Sequence, residues 1–211
     1  MNARWWLGVC ALVLSACGGG GDGGSVQSPF QVLVQESRSQ PTESSCETRL
    51  GYSVLSTLEV RPSASAQVVE GFDRASYHGS SDCSGAALVQ YRVVSGSAEV
   101  PVVRITYVSS LRSAQVRLLD GRTLSTPVDR VNVGVNPDAG VYRFDFLGVT
   151  GTQQTTGYTT SASFTINGVT VNDTQDLGSP LNAALGMAVV DGKVMTLVPQ
   201  SDTFFVQTVE Q

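Results

Sequence analysis

His78 is the one imidazole in the 211-residue chain, so any serine-based hydrolytic relay would have to be built on it. It closes the run Asp73-Arg74-Ala75-Ser76-Tyr77-His78, shortly before Cys83. Serines and carboxylates are abundant, so their presence adds nothing specific, and no Gly-x-Ser-x-Gly elbow occurs. His78 is therefore expected to be a loop histidine on a polar surface. Zinc needs three or four Cys, His or acid ligands at close spacing, which a single histidine and one pair of spare cysteines do not supply. Asn172-Asp173-Thr174-Gln175-Asp176 offers oxygen atoms without the ordered spacing of a calcium loop, and is expected to be a polar turn after a strand ending near Val171. Asp120, Asp138 and Asp191 sit in turn sequences, where local hydrogen bonding already accounts for an acid. No metal and no cofactor is expected, and the chain is not expected to be an enzyme.

The cysteines carry more information. Arg4 precedes the apolar stretch Trp5 to Leu14, which is followed by the small residues Ser15 and Ala16 and then by Cys17. This is the layout of an export signal, and about ten apolar residues are too few to span a bilayer, which takes roughly 20. Leu14-Ser15-Ala16-Cys17 resembles the lipobox of bacterial lipoproteins. The resemblance implies that residues 1–16 are removed and that Cys17, as the new first residue, is the lipidation site, carrying a diacylglycerol thioether and usually a further acyl chain on its amine. Two or more chains anchor stably where one binds reversibly, at about 0.8 kcal/mol per buried methylene. Within that class an Asp after the Cys is the usual mark of inner-membrane retention, and Gly18 in its place points to the outer membrane.

Cys10 leaves with the leader and Cys17 is committed to lipid, so Cys46 and Cys83 remain as a pair. Export to an oxidising compartment makes a disulfide between them the expected outcome. Closing a loop of about 38 residues is worth roughly 4 kcal/mol in the chain-entropy model. Its expected role is to fasten an otherwise loose N-terminal segment to the short loop Tyr77 to Gly85.

Gly18 to Ser28 is Gly-rich with Val26 as its one sizeable apolar group, so it cannot bury enough surface to offset ordering. A flexible tether with an r.m.s. reach of roughly 18 Å is expected there. Gly18 to Gly24 is no phosphate loop, because no strand precedes it and no Gly-Lys-Ser/Thr follows. The chain thus divides into a signal peptide at 1–16, a lipidated Cys with its tether at 17–29, and a domain at 30–211. Loss of Arg4 takes the 13 Lys and Arg to 12 against 18 Asp and Glu, and the formal net charge from −5 to −6. The remaining cations are scattered from Arg38 to Lys193, the one lysine, which disfavours a nucleic-acid partner.

Strands must position whatever the domain does. Apolar side chains alternate with polar ones in Val141-Tyr142-Arg143-Phe144-Asp145-Phe146, in Ala162, Phe164 and Ile166, and in Val131, Val133 and Val135, and a period of two marks a half-buried strand. Asp120-Gly121, Asn167-Gly168 and Asp191-Gly192 predict hairpins, with further ones at Ser95-Gly96-Ser97 and at Asn136 to Gly140. The stretch Thr150 to Thr160 is expected to be a long hairpin end or an exposed loop. One helical turn is predicted from Ser179-Pro180-Leu181 to Leu185-Gly186, capped by Ser with Pro in its first turn. The expected fold is all-β, a single antiparallel meander from about Ala87 onward, either closed as a barrel or split into a two-sheet sandwich.

These features favour a lipid-anchored envelope protein with a non-enzymatic binding or structural role toward a protein, a glycan or envelope material. A lipocalin-like carrier of a small apolar ligand is the alternative, with Tyr142, Phe144, Phe146, Phe164 and Ile166 either lining a cavity or, by preference, filling a solid core. An envelope hydrolase dependent on His78 comes after these. A barrel embedded in the outer membrane is disfavoured by sparse aromatics and by charges such as Arg143 and Asp145 at outward positions.

Overall fold

Fourteen strands and one helix make up the residues described by the computed structural model, which are 27–136, 142–149 and 151–207. Helix α1 (Pro29–Ser39) leads into β1 (Thr42–Arg49), β2 (Tyr52–Pro62), β3 (Val68–His78), β4 (Ala87–Ser95) and the short β5 (Ala98–Glu99). There follow β6 (Val103–Arg117), β7 (Thr123–Val135), β8 (Tyr142–Leu147), β9 (Thr152–Thr156), β10 (Thr159–Ile166) and β11 (Val169–Asp176). The last three strands are β12 (Leu181–Val190), β13 (Lys193–Pro199) and β14 (Phe204–Gln207). The fold is all-β, as the alternation predicts. The expected signal peptide, Cys17 and the expected tether up to residue 26 lie outside the described residues.

The predicted turns at Asn167-Gly168 and Asp191-Gly192 join β10 to β11 and β12 to β13. All four residues have positive φ, the conformation that Asn, Asp and Gly adopt at least cost. Asp120-Gly121 joins β6 to β7, and Gly96-Ser97 joins β4 to β5. The hairpin expected at Asn136 to Gly140 does not form between its flanking strands. Residues 137–140 lie outside the described residues, but β8 pairs with β4, while Val135 pairs with Val103 and Leu181. Asn136 is buried, donates its amide N–H to Val102 O at 2.8 Å and its side-chain amide to Leu177 O, and so sends the chain across rather than back. Of the two expectations for Thr150 to Thr160, the hairpin end is the one that forms: β9 pairs with β10 across a tight turn at Gly157-Tyr158, and an exposed loop does not.

Eleven strands form one mixed sheet, and β9, β10 and β11 form a second. The sheet departs from a simple meander because β6 changes partners along its length. Val103–Thr106 pair with β3, Gln115–Arg117 pair in parallel with β14, and the opposite edge pairs with β7 throughout. The strands β6, β14, β13, β12 and β7 pair round into a ring, from which β3, β2, β1, β4 and β8 fan out, so the sheet as a whole is not a clean barrel. Barrel-like closure and face-to-face packing of two sheets occur in the same molecule.

Two cores follow from this. The ring encloses Ala114, Val116, Leu118, Val128, Ala188, Val190, Leu197 and Phe205. The larger core lies between the fan and the three-stranded sheet, where Phe164 meets Tyr77 edge-on at 5.0 Å and Tyr91 meets Phe144 edge-on at 5.0 Å. Phe144, Phe146, Phe164 and Ile166 are all buried in this one cluster, with the Phe146 and Phe164 rings 6.3 Å apart. The side chain of Tyr142 lies outside the description.

Two expectations about helix are overturned. Leu181 to Gly186 is the start of β12, because pairing of Leu181–Met187 with β7 satisfies its backbone. The helix stands instead at Pro29–Ser39, where strand or loop was expected. Pro29 at its first turn has the fixed φ a helix start needs, and Phe30, Leu33 and Ser37 recur on one face and are buried.

Cys46 and Cys83 are bonded. The bond ties β1, which is exposed along nearly its whole length, to the loop between β3 and β4.

Candidate functional site

His78 does not lie on a polar loop. It ends β3 and is buried, in register with Ser53, whose hydroxyl accepts a hydrogen bond from the Cys83 amide at 2.9 Å. Its backbone pairs with Ser53 on one side and Ala87 on the other, so it belongs to the sheet, whereas the sequence shows only a polar residue near a cysteine. Its Nε2 lies 2.8 Å from Ser76 Oγ, two residues back on the same face of the strand. Its Nδ1 has no hydrogen-bond partner. A hydrolytic relay needs that nitrogen held by a carboxylate, which fixes tautomer and orientation.

The same face carries a band of ion pairs. Arg74 grips Glu99 through two contacts, at 2.6 and 2.9 Å, and reaches Glu59 at 2.7 Å. Arg92 stands directly across from Asp145 on β8, at 3.4 Å, and Arg61 lies 4.1 Å over the ring of Phe72. The Glu99 carboxyl is held below its ordinary range by the Arg74 hydrogen bonds.

On the opposite face of β3 the packing is aromatic with acids at its border. Tyr77 donates its hydroxyl to Asp173, whose two carboxylate oxygens also accept from Gln175 Nε2 at 2.8 and 2.9 Å. Burial pushes the Tyr77 and Tyr91 hydroxyls well above the usual tyrosine range, and nearby carboxylate charge adds to this. Burial likewise raises Asp73 to about 6, against a lowering by the Arg74 backbone. The stretch from Asn172 to Asp176 is therefore part of β11, not a polar turn, since pairing with Thr159 to Ser163 continues through it. Among the described residues no group of three or more His, Cys, Asp or Glu is placed to hold a metal ion.

Among the described residues a concave site lies at the mouth of the ring, a groove of about 570 Å³ open to solvent. Val128 points into the ring core, and with a period of two Arg130 and Asn132 continue the same face of β7 outward. On β12 the corresponding face runs from Ala188 through Gly186 to Ala184, and Gly186 is paired with Arg130. Phe205 forms the floor: a Cβ on Gly186 would lie 2.5 Å from its ring, so glycine is what lets the ring reach β12. The wall opposite is the connection from Pro199 to Asp202, and Arg130 Nη2 contacts Asp202 Oδ1 at 2.6 Å. Val108 closes one side, at a point where the register of β6 against β7 shifts.

The structure thus joins Cys46 to Cys83, places His78 beside Ser76, and leaves Cys17 outside the described residues. Arg130, Asn132 and Asp202 were not foreseen as site residues. A cation inside the run Val128 to Val133 is the one local signal for them, and Asp202 is far away in sequence. No family model matches the chain, and comparison with curated proteins and with solved structures returns no significant match either.

Proposed function

We propose that this chain is a lipoprotein of the bacterial outer membrane, anchored through acyl chains on Cys17, whose β domain has a non-enzymatic binding role in the envelope. The observation that carries it is Leu14-Ser15-Ala16-Cys17 after a short apolar run and before a Gly-rich segment. One feature of the domain supports it: the described chain enters the fold at Ser28, whose hydroxyl bonds to the buried Asp129, so a tether from Cys17 would meet a fixed point. Among the described residues no helix is long and apolar enough to cross a membrane. Labelled palmitate supplied to expressing cells is expected to enter the wild-type protein and not Cys17→Ser. Absence of label from the wild type would overturn the proposal.

The groove at the mouth of the ring supports a second reading, a carrier or receptor for a small ligand. Its volume lies within the range of small-molecule sites, roughly 300–1,000 Å³, and barrel mouths are a usual place for them. On this reading the aromatic core is scaffold and the ring mouth is where the ligand sits.

A further inference from the structure

From the groove we infer a binding site for an amphiphilic carboxylate, in which the ligand's carboxylate replaces Asp202 on Arg130; this deepens the small-ligand reading and rests on it. Arg130 and Asp202 are the charged residues that line the groove. Their contact is a single N–H to oxygen approach at 2.6 Å, without the two parallel bonds that a guanidinium offers to a well-placed carboxylate. The side chain of Asp202 is 92% exposed, and an ion pair so open to water is held weakly. Asp202 thus occupies the position of a displaceable internal anion. A ligand carboxylate arriving from the open side can take both prongs while Asp202 swings into solvent, where it is already hydrated.

The surroundings select an apolar body behind that carboxylate. Val108 and Pro199 line the walls above Phe205, and Val108 is 53% exposed although it is β-branched and on a strand. Asn132, next after Arg130 on the same face of β7, supplies an amide for a second polar contact at the carboxylate end. Gly186, across from Arg130, has no side chain to cover the guanidinium.

The test is calorimetric titration of the full-length protein in detergent micelles with 4-phenylbutyrate, against 4-phenylbutanol and against empty micelles. Saturable binding of the acid is expected, with the alcohol about tenfold weaker or more. Arg130→Gln is expected to bring the acid down to the level of the alcohol, and Asp202→Asn to tighten the acid several-fold by removing its internal competitor. Ala184→Trp fills the groove from an exposed position on β12 and is expected to abolish binding of both, with unchanged circular dichroism and Tm as the control for folding. Equal binding of acid and alcohol, or binding unaffected by Arg130→Gln, would overturn the carboxylate assignment and leave the small-ligand reading standing. Binding of neither compound to the wild type would overturn both, and binding that survives Ala184→Trp would place the site elsewhere.

Discussion

Asp129 Oδ2 accepts a hydrogen bond from the Phe30 amide at 2.7 Å, joining the first turn of the helix to a strand 99 residues further on. The carboxylate is fully buried and also accepts from Ser28, the residue that precedes the helix. It therefore does the work of a helix cap from outside the helix, where Ser28 itself makes no side-chain cap bond. Asp129→Ala removes that acceptor and leaves the buried Phe30 N–H and the half-buried Ser28 O–H without it, at a cost of about 2–4 kcal/mol. Urea unfolding is expected to show the loss, and hydrogen exchange to show it first in Pro29–Ser39. Asp129→Asn keeps an acceptor oxygen and is expected to lose less.

Gly186 and Phe205 are matched in the opposite sense, by the absence of a side chain. A methyl group at 186 would stand 2.5 and 2.7 Å from two ring carbons and 3.0 Å from Val128 Cγ1. Gly186→Ala is expected to destabilise the protein by about 1–3 kcal/mol through overpacking, although alanine ordinarily favours an extended backbone over glycine. Adding Phe205→Leu should recover part of that loss. Thermal melts of the two single variants and the double variant check the coupling, and additive losses would show that ring and glycine are independent.

Asp73 gives the stability a pH dependence of defined sign. Its carboxyl is raised from 3.8 to about 6 in the folded protein by burial. The folded state thus binds this proton more tightly than the unfolded chain, and the associated stability is present in full below about 3.8 and is lost as pH rises through 6. The gap corresponds to about 3 kcal/mol. Asp73→Asn is expected to raise stability at pH 8 by about 1–3 kcal/mol and to change little at pH 3.5. Urea midpoints measured across that range would show the two curves converge at low pH.

Reduction of Cys46–Cys83 should act locally before it acts globally. All but the last residue of β1 is exposed, so its packing contributes little, and pairing with β2 and the disulfide hold it. Cys46→Ser with Cys83→Ser is expected to cost about 2–4 kcal/mol in overall stability. Hydrogen exchange should accelerate most in Thr42–Arg49 and in residues 79–86, while β6 and β7 stay protected.

The contrast between Ser28-Pro29 and Ser179-Pro180 shows what the sequence reveals and where it stops. Both pairs carry the same start signal, yet one opens a helix and the other precedes a strand. The segment after Pro180 pairs with β7 from Leu181 onward, β13 joins on the other side from Gly186, and those partners override a local preference. Pro29–Ser39 has no strand partner, so the buried stripe of Phe30 and Leu33 decides. Alternation around Phe144 and Phe164 was legible because period two is a property of each strand alone. The route of β8 to β4 was not, since it depends on Asn136 bonding to carbonyls some forty positions away. The disulfide followed from counting cysteines. The groove needed Arg130, Ala184 and Asp202 to be brought together from three elements, which no window of sequence contains.

The strand β14 supplies the one parallel pairing of the ring, with Phe204 beside Gln115. It comes last in chain order among the ring strands, so β6 and β13 must wait for it with unsatisfied amides along their edges. A polypeptide emerging N-terminus first therefore exposes a sticky seam until its tail has followed. Closure is a late event, and a chain cut short before Phe204 would keep that seam open for good.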